Sequence, residues 1–417
     1  MEGVSRKVTY RLYPRPAQFE ALKAMLRAHQ QLYNAALQQR IEAWKRQRKC
    51  LGFADQCKEL TELRRVDPDF RAVNAQSSQV TLKRIDLGFR HFFRRVRQGQ
   101  TPGFPRFKSL KRFRGWGYKD HGDGWRLHPG PEGKNGRLRL SGVGLLPIRG
   151  RTRTEGTPKT MEIVHRDGRW YASVTIECEP TREHGSNPLG IDWGLEAFAT
   201  LSTGERIENP RFARTDGERI KSLQREVSRK KRGSKNRRKA ARKLARAHER
   251  VANRRLNFLH QQSAAIIVLA ALVATEKLET AKMTHTARGT IEAPGKNVRQ
   301  KAGLNRSILD GAPAAFLAML RYKAEEAGIA FVEVPTRKVK PSQTCPRCGK
   351  VEKKTLAQRI HTCSCGLVLG RDHASAQVCL NFALYGVGNR PCVEGDVGPP
   401  LKHETPPVAA SSAVQGA

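Results

Sequence analysis

Apolar and polar positions fall into two regimes along this chain. Between Lys7 and Leu12 they alternate, as on a half-buried strand, and the run stops at Tyr13-Pro14-Arg15-Pro16. Pro16 suits the first turn of a helix, because its fixed φ fits and its missing N–H would have no partner there. From it Phe19, Leu22, Met25/Leu26, Leu32/Tyr33 and Ala36/Leu37 recur at helical spacing. A second helical pattern over residues 73–96 gathers Ile85, Phe89, Phe92/Phe93 and Val96 on one face. Its other face carries Lys83, Arg84, Arg90, Arg94, Arg95 and Arg97. Gly103-Phe-Pro-Arg-Phe-Lys108 breaks that helix, and a strand-rich stretch follows with Arg137-Leu-Arg-Leu-Ser141. Asp167-Gly168 suits a type I′ hairpin turn, after which Trp170, Ala172, Val174 and Ile176 alternate inward. The pattern predicts a small N-terminal β-barrel from residues 1–12 and 104–185, interrupted by a helical insertion at 13–103.

The second regime opens at Pro188-Leu-Gly-Ile-Asp-Trp-Gly194. Turns at Gly194 and Thr203-Gly204 divide the stretch into three short antiparallel strands, the first of which buries Ile191 and presents Asp192 at its end. A strongly basic helical stretch is expected from Glu218 to Arg255. The apolar run Ala264–Ala274 reads as a buried helix entering a buried strand, and Leu272–Leu278 delivers Glu276. A Gly-punctuated basic loop at 282–311, with Gly289, Gly295 and Gly303 as hinges, leads to a helix over Ala314–Ala327 and a strand over Ile329–Val334. Arg371-Asp372 then opens a last helix whose apolar face is Ala376, Cys379, Phe382 and Ala383. Three hairpin strands, then helix, strand, helix, strand and helix, is the order of a ribonuclease-H-like α/β domain over 186–340, completed by 371–386. Residues 387–417 turn to Gly, Pro, Ala and Ser and are expected to be a disordered tail. The fold class is therefore mixed α+β and α/β, multidomain.

Between those last elements, residues 341–370 hold Cys345 and Cys348 as a C-x2-C pair and Cys363 and Cys365 as a C-x-C pair. Gly349 and Gly366 directly follow the two pairs, where a tight knuckle needs a residue without Cβ. Two close cysteine pairs can clasp one tetrahedral Zn²⁺. Asp192, Glu276 and Asp372 lie far apart in sequence but each ends or opens a predicted core element. If the first and fourth strands are neighbours and the last helix crosses them, the three carboxylates converge. Like charges so grouped need cations, and two Mg²⁺ (or Mn²⁺) about 4 Å apart would meet that need for phosphodiester hydrolysis.

Composition sharpens this. The 417 residues include 78 Lys plus Arg against 38 Asp plus Glu, a net charge of +40 spread along the chain. Such a field points to a polyanionic partner, most simply nucleic acid. Arg229, Lys230, Lys231, Arg232, Arg237, Arg238 and Lys239, with Arg299 further on, are candidate backbone contacts. The five other cysteines, Cys50, Cys57, Cys178, Cys379 and Cys392, form no disulfide framework, so a reducing cytosol is expected. No N-terminal apolar stretch suggests a signal peptide, and Ala264–Ala274 is about half the ~20 residues of a membrane span.

GIDWG at 190–194, TEKL at 275–278 and RDHASA at 371–376 resemble the three RuvC motifs of TnpB. That family comprises accessory nucleases of insertion sequences, often labelled OrfB-type transposases and related to type V CRISPR effectors. RLYPRPAQ near the start, GFPRFKS at 103–109, PGKNVRQKAGLNRSIL at 294–309 and PSQTCPRCG at 341–349 are similar to it as well. The resemblance implies that Asp192, Glu276 and Asp372 are catalytic, and that the cysteines form a zinc-finger module inserted between the second and third motifs. It implies that the barrel is a wedge domain and the helical insertion a recognition domain, together holding a guide RNA and reading a short duplex motif beside the target. One departure concerns the third motif, where the family pattern is D-R-D-x-N-A-A. Here Gly370 stands for the first acid and Ala374 for the asparagine.

The expected activity is RNA-guided, metal-dependent DNA cleavage next to a flanking motif, by a protein that acts as a monomer with guide RNA on double-stranded DNA and without a membrane. Delegating sequence to base pairing explains the charge, since a long heteroduplex needs a positive channel that holds backbone. Two alternatives use the same residues: an RNA-guided binding regulator that does not cut, and a strand-transferring transposase.

Overall fold

In the computed structural model, which describes residues 4–151, 156–179, 181–355 and 357–389, the N-terminal alternation becomes strand β1 (Val4–Leu12). The chain divides into two units, Met1–Thr181 with Ile220–Glu249, and Arg182–Arg219 with Arg250–Ala417. In the first unit β1 leads into α1 (Pro16–Gln47), α2 (Phe53–Val66), α3 (Pro68–Ala72) and α4 (Ala75–Arg97). Pro16 occupies the first helical position, and Asn74 caps α4 by accepting from the Ser77 N–H. Strands β2 (Gly115–Tyr118), β3 (Trp125–Pro129), β4 (Lys134–Leu140), β5 (Gly144–Arg151), β6 (Thr157–Arg166) and β7 (Arg169–Cys178) follow. All pairings are antiparallel, in the order β2-β6-β7-β1-β5-β4-β3. Asp167 and Gly168 both take positive φ, 52° and 77°, as a type I′ turn requires. Trp170, Ala172, Val174 and Ile176 all face the core.

The ladder ends at β2 and β3, so the expected barrel is an open seven-stranded sheet. Helices stand in for closure. His29 of α1 stacks on Trp116 of β2 with ring centroids 5.3 Å apart, and Tyr33 of α1 packs against Phe113. Helices α2 and α3 were not evident in the pattern, because α2 buries only Gln56 and Leu60 and α3 buries no residue.

In the second unit β8 (Asn187–Trp193), β9 (Ala197–Leu201) and β10 (Arg206–Glu208) form the antiparallel part of a second sheet. Along the chain come α5 (Phe212–Thr215), then α6 (Gly217–Ser228) and α7 (Lys235–Leu269), of which residues 220–249 belong to the first unit, and then β11 (Ala270–Glu276), α8 (Thr280–Met283), α9 (Val298–Gly311), α10 (Pro313–Ala327), β12 (Ala330–Val334) and α11 (Thr336–Val339). The short strands β13 (Ile360–Thr362) and β14 (Val368–Gly370) then precede α12 (Arg371–Tyr385). The second sheet has the order β10-β9-β8-β11-β12, with β8, β11 and β12 parallel.

Two expectations require correction. The basic stretch from Glu218 to Arg255 is not one helix: α6 ends at Ser228, and Gly233 at φ +83° turns the chain before α7. Lysine and arginine favour helix throughout that run, so charge gives no warning of the break. The loop at 282–311 is half helix, since α9 begins at Val298 and contains Gly303. Lys301 donates to the Met283 carbonyl and Asn305 to that of Thr284, tying α9 to the segment before it. Gly289 and Gly295 close a bridged turn; a Cβ at Gly295 would stand 1.5 Å from the Ala287 oxygen, so close approach explains this glycine better than hinging. Residues 390–417, most of the expected tail, lie outside the described residues. Of the expected tail, Gly388 is described, and its carbonyl accepts from Asn381 of α12.

His29 gives this architecture a pH signature. Burial, then the nearby Arg84 guanidinium, lowers its imidazole pKa to about 3, and Thr81 Oγ1 lies 2.9 Å from its Nδ1. The imidazole is neutral when folded and has a pKa of about 6.5 when unfolded, so its contribution is intact above pH 6.5 and is lost as pH falls towards 3. Below about pH 6 each unit of acidification should cost about 1.4 kcal/mol through this group. Thermal melts from pH 7 to 4.5 should fall more steeply for the wild type than for His29→Gln; equal slopes would assign the acid sensitivity elsewhere.

Candidate active site and cysteine centre

Strands β8 and β11 run parallel with Ile191 opposite Thr275, so Asp192 and Glu276 follow at adjacent strand ends. Helix α12 brings Asp372 in its first turn. What lets α12 lie against β8 is Gly190: a Cβ there would stand 2.0 Å from the Ala376 carbonyl oxygen and 2.9 Å from Leu380 Cβ. Gly190 is held in turn by Ser202, whose Oγ accepts from its N–H at 3.0 Å and whose N–H donates to its carbonyl at 2.9 Å. His373 reaches the Ser202 carbonyl from α12, with Nε2 at 3.1 Å.

The electrostatics follow from burial. Desolvation, then the Glu276 charge, pushes the Asp192 carboxyl well above the usual carboxylate range; Asp372 adds to this, while Ser375 and Arg371 oppose it. Glu276 is raised as well, by burial, against a hydrogen bond from Ser375. Cys379, one turn beneath Ser375, is pushed up by burial and by the Glu276 and Asp192 charges. Arg371 Nε lies 3.7 Å from Asp372 Oδ1 and its Nη1 donates to the Gln358 carbonyl at 3.1 Å. Hard oxygen donors buried against their own repulsion are a donor set suited to divalent cations. Ser375 was missed as a site residue in the sequence, although its i+3 spacing from Asp372 is a readable signal.

The four cysteines form a different centre. Their sulfurs all lie within 4.8 Å of one another, and among the described residues theirs is the group of three or more potential ligands that does so. Cys345 Sγ is 3.7 Å from Cys365 Sγ, and Cys348 Sγ is 3.5 Å from Cys363 Sγ. A tetrahedron of thiolates around zinc has an edge of about 3.8 Å, so the spacing fits. Gly349 and Gly366 take φ of +76° and +81°, and their N–H groups donate to the Cys345 and Cys363 carbonyls. The Cys365 N–H lowers the Cys363 thiol to about 6, whereas burial raises that of Cys345 to about 12. Cys345, Cys363 and Leu367 form the core of this small lobe.

The basic candidates differ in how far they are exposed. Arg229, Lys231, Arg232, Arg238, Lys239 and Arg299 are exposed, and Lys230 is half-buried beside Glu226. Arg237 instead donates to the Val227 and Lys230 carbonyls, at 3.0 and 3.2 Å, closing the end of α6.

Asp192 also yields a stability test. Its folded pKa is raised above the unfolded value of 3.8, so the stability it contributes is present below that pH and is lost as pH rises. Asp192→Asn removes the charge and keeps an acceptor for Ser375. At pH 7.5 without divalent cations it should melt higher than wild type, by about 2–4 °C per kcal/mol of repulsion relieved. An equal or lower Tm would show that the carboxylate is not under strain.

Comparison with known proteins places the chain in a family. A family model described as "Probable transposase" matches residues 171–287, "Cas12f1-like, TNB domain" matches 314–379, and "Helix-turn-helix domain" matches 1–49. In the last segment the structure has a strand and one unbroken helix. A "Putative RNA-guided DNA endonuclease" of Streptomyces pristinaespiralis is 32% identical over 404 residues, covering 95% of this chain and 92% of its own length. The "Putative RNA-guided DNA endonuclease InsQ" of Escherichia coli (strain K12) is 32% identical over 284 residues, 67% of each chain. The fold resembles a cryo-EM structure of the Cas12f1-sgRNA-target DNA complex, with a TM-score of 0.58 at 12% identity over 91% of this chain and 99% of that one. It also resembles the mini-RNA-guided endonuclease CRISPR-Cas_phi3, with a TM-score of 0.53 at 10% identity over 94% and 93%. With a relative 32% identical along 95% of its length, the chain belongs to the TnpB family, the OrfB-type proteins of insertion sequences.

Proposed function

We propose that the protein is an RNA-guided DNA endonuclease that cuts by metal-dependent hydrolysis at Asp192, Glu276 and Asp372. The observation that carries this is the packing of α12 across β8 and β11, which brings the charge of Asp372 to bear on Asp192, a carboxyl raised by burial and by the Glu276 charge, while Glu276 itself is raised by burial. The sheet order β10-β9-β8-β11-β12, with two parallel crossings, supports a ribonuclease-H-like RuvC domain. The seven-stranded sheet and its helices support the wedge and recognition roles. No described helix is long and apolar enough to cross a membrane.

In this reading Asp192 and Glu276 ligate through oxygens presented at neighbouring strand ends, and Asp372 completes the set from the helix. The chemistry supplied by a bound pair of Mg²⁺ or Mn²⁺ ions is activation of water and stabilisation of the leaving 3′-oxygen. Gly190 lets α12 lie against β8, and in this reading the three carboxylates act on one phosphate. The cysteine lobe holds Zn²⁺ as a structural ion with no open position. Guide RNA pairs with one strand of target DNA, and the basic surface holds the backbone.

Protein purified with its bound RNA should linearise a plasmid carrying the matching target and flanking motif. Asp192→Ala, Glu276→Ala and Asp372→Ala should each fall to background, with guided DNA affinity within about threefold of wild type. Cleavage by any of the three would remove that residue from the site. Joining of donor ends to DNA without RNA would favour the transposase reading.

One zinc per chain should co-purify, and Cys345→Ser or Cys363→Ser should lower it and increase hydrogen exchange over 341–370. So small a lobe draws its folding energy from the metal. Reduced cysteines, no zinc by metal analysis and an ordered lobe would overturn this assignment.

A further inference from the structure

Ser375 lies three residues after Asp372, so both project from one face of α12. The residue is 1% exposed, and its hydroxyl donates to Asp192 Oδ1 at 2.8 Å. Ser375 also opposes the burial that raises Glu276. One buried hydroxyl thus ties α12 to the carboxylate at the end of β8, beside the strand that carries Glu276. Positions 370 and 374 cannot do this work. Gly370 has no side chain, and Ala374 is a buried alanine two residues along the helix from Asp372, where side chains do not face together.

We propose that Ser375 is a positioning residue for the divalent-cation site, its O–H fixing the Asp192 carboxylate through Oδ1 so that Oδ2 remains available as a ligand. This rests on the reading of Asp192 and Glu276 as cation ligands. Without the hydroxyl, Asp192 would turn away from Glu276 to relieve repulsion, and cation binding would have to restore its orientation. Groups that orient ligands in this way change metal affinity by about 10- to 100-fold. The effect falls on cation affinity first and leaves the rate at saturation nearly intact.

The test uses the full chain with its bound RNA and two variants, Ser375→Ala and the near-isosteric Ser375→Cys, whose thiol is a weak donor. Mn²⁺ affinity is read twice, from the cation-dependent rise in Tm without target DNA and from the half-saturating Mn²⁺ concentration for cleavage. Both variants should need about 10-fold more Mn²⁺ in each assay, with the saturated cleavage rate recovering to within about threefold and the metal-free Tm near wild type. Wild-type Mn²⁺ dependence in both variants would overturn the proposal, as would a rate loss that no Mn²⁺ concentration restores at unchanged affinity. If Ser375→Ala does not fold, Ser375→Cys decides; if neither folds, the hydroxyl serves folding and the positioning role is wrong. Asp192→Ala, run in parallel, separates the two levels. Cleavage by that variant would sink the active-site reading itself, whereas its silence beside an unaltered Ser375→Cys would sink only the role of the serine.

Discussion

The close approach of α12 to β8 at Gly190 sets the geometry on which the second unit depends. With no side chain at 190, the Ala376 carbonyl sits where a Cβ would otherwise be. That contact fixes the height of the helix along the strand, and with it the level at which Ser375 reaches Asp192. The same packing withdraws the carboxylates from water and makes their charges costly. Stability and chemistry therefore pull in opposite directions at this point of the fold. The apolar layer of Ala274, Val334 and Cys379 holds the elements together beneath it.

The first unit solves a different problem. Its sheet is hydrogen-bonded in one open series, and an open sheet this large needs its inner face covered. Trp116, Trp125 and Trp170 supply much of that cover from the strands, and Leu22, Leu37, Leu82 and Ile85 supply it from the helices. His29 is one of the polar members of this interior, accommodated because Thr81 and Trp116 offer it a hydrogen bond and a ring face.

The candidate site was legible as a set of positions, because its residues sit where regular elements begin and end. Ile191 before Asp192, the apolar run before Glu276 and the helical period after Asp372 each mark a boundary, and the cysteine spacing marks a knuckle. Where the sequence misled, burial was thin. Helix α9 buries Ile308 and Gly311 alone, too little to impose a period on a run interrupted by Gly303. The break before α7 falls at Gly233-Ser234, inside a run whose many lysines and arginines favour helix. Ser375 escaped notice because a small polar residue on a helix is ordinary until its partner, 183 residues earlier, is known.

Arg237 shows that formal charge and available charge differ. Its guanidinium is committed to the carbonyls that end α6. Arg182 is held by Glu326, Arg255 by Asp310 and Lys7 by Glu162. Each such commitment withdraws a cation from the count that displaces condensed ions when nucleic acid binds. The logarithm of affinity falls with the logarithm of salt in proportion to phosphates neutralised, not to net charge. The salt dependence of this protein is thus governed by the cations its own fold leaves uncommitted, a smaller number than the +40 of its composition.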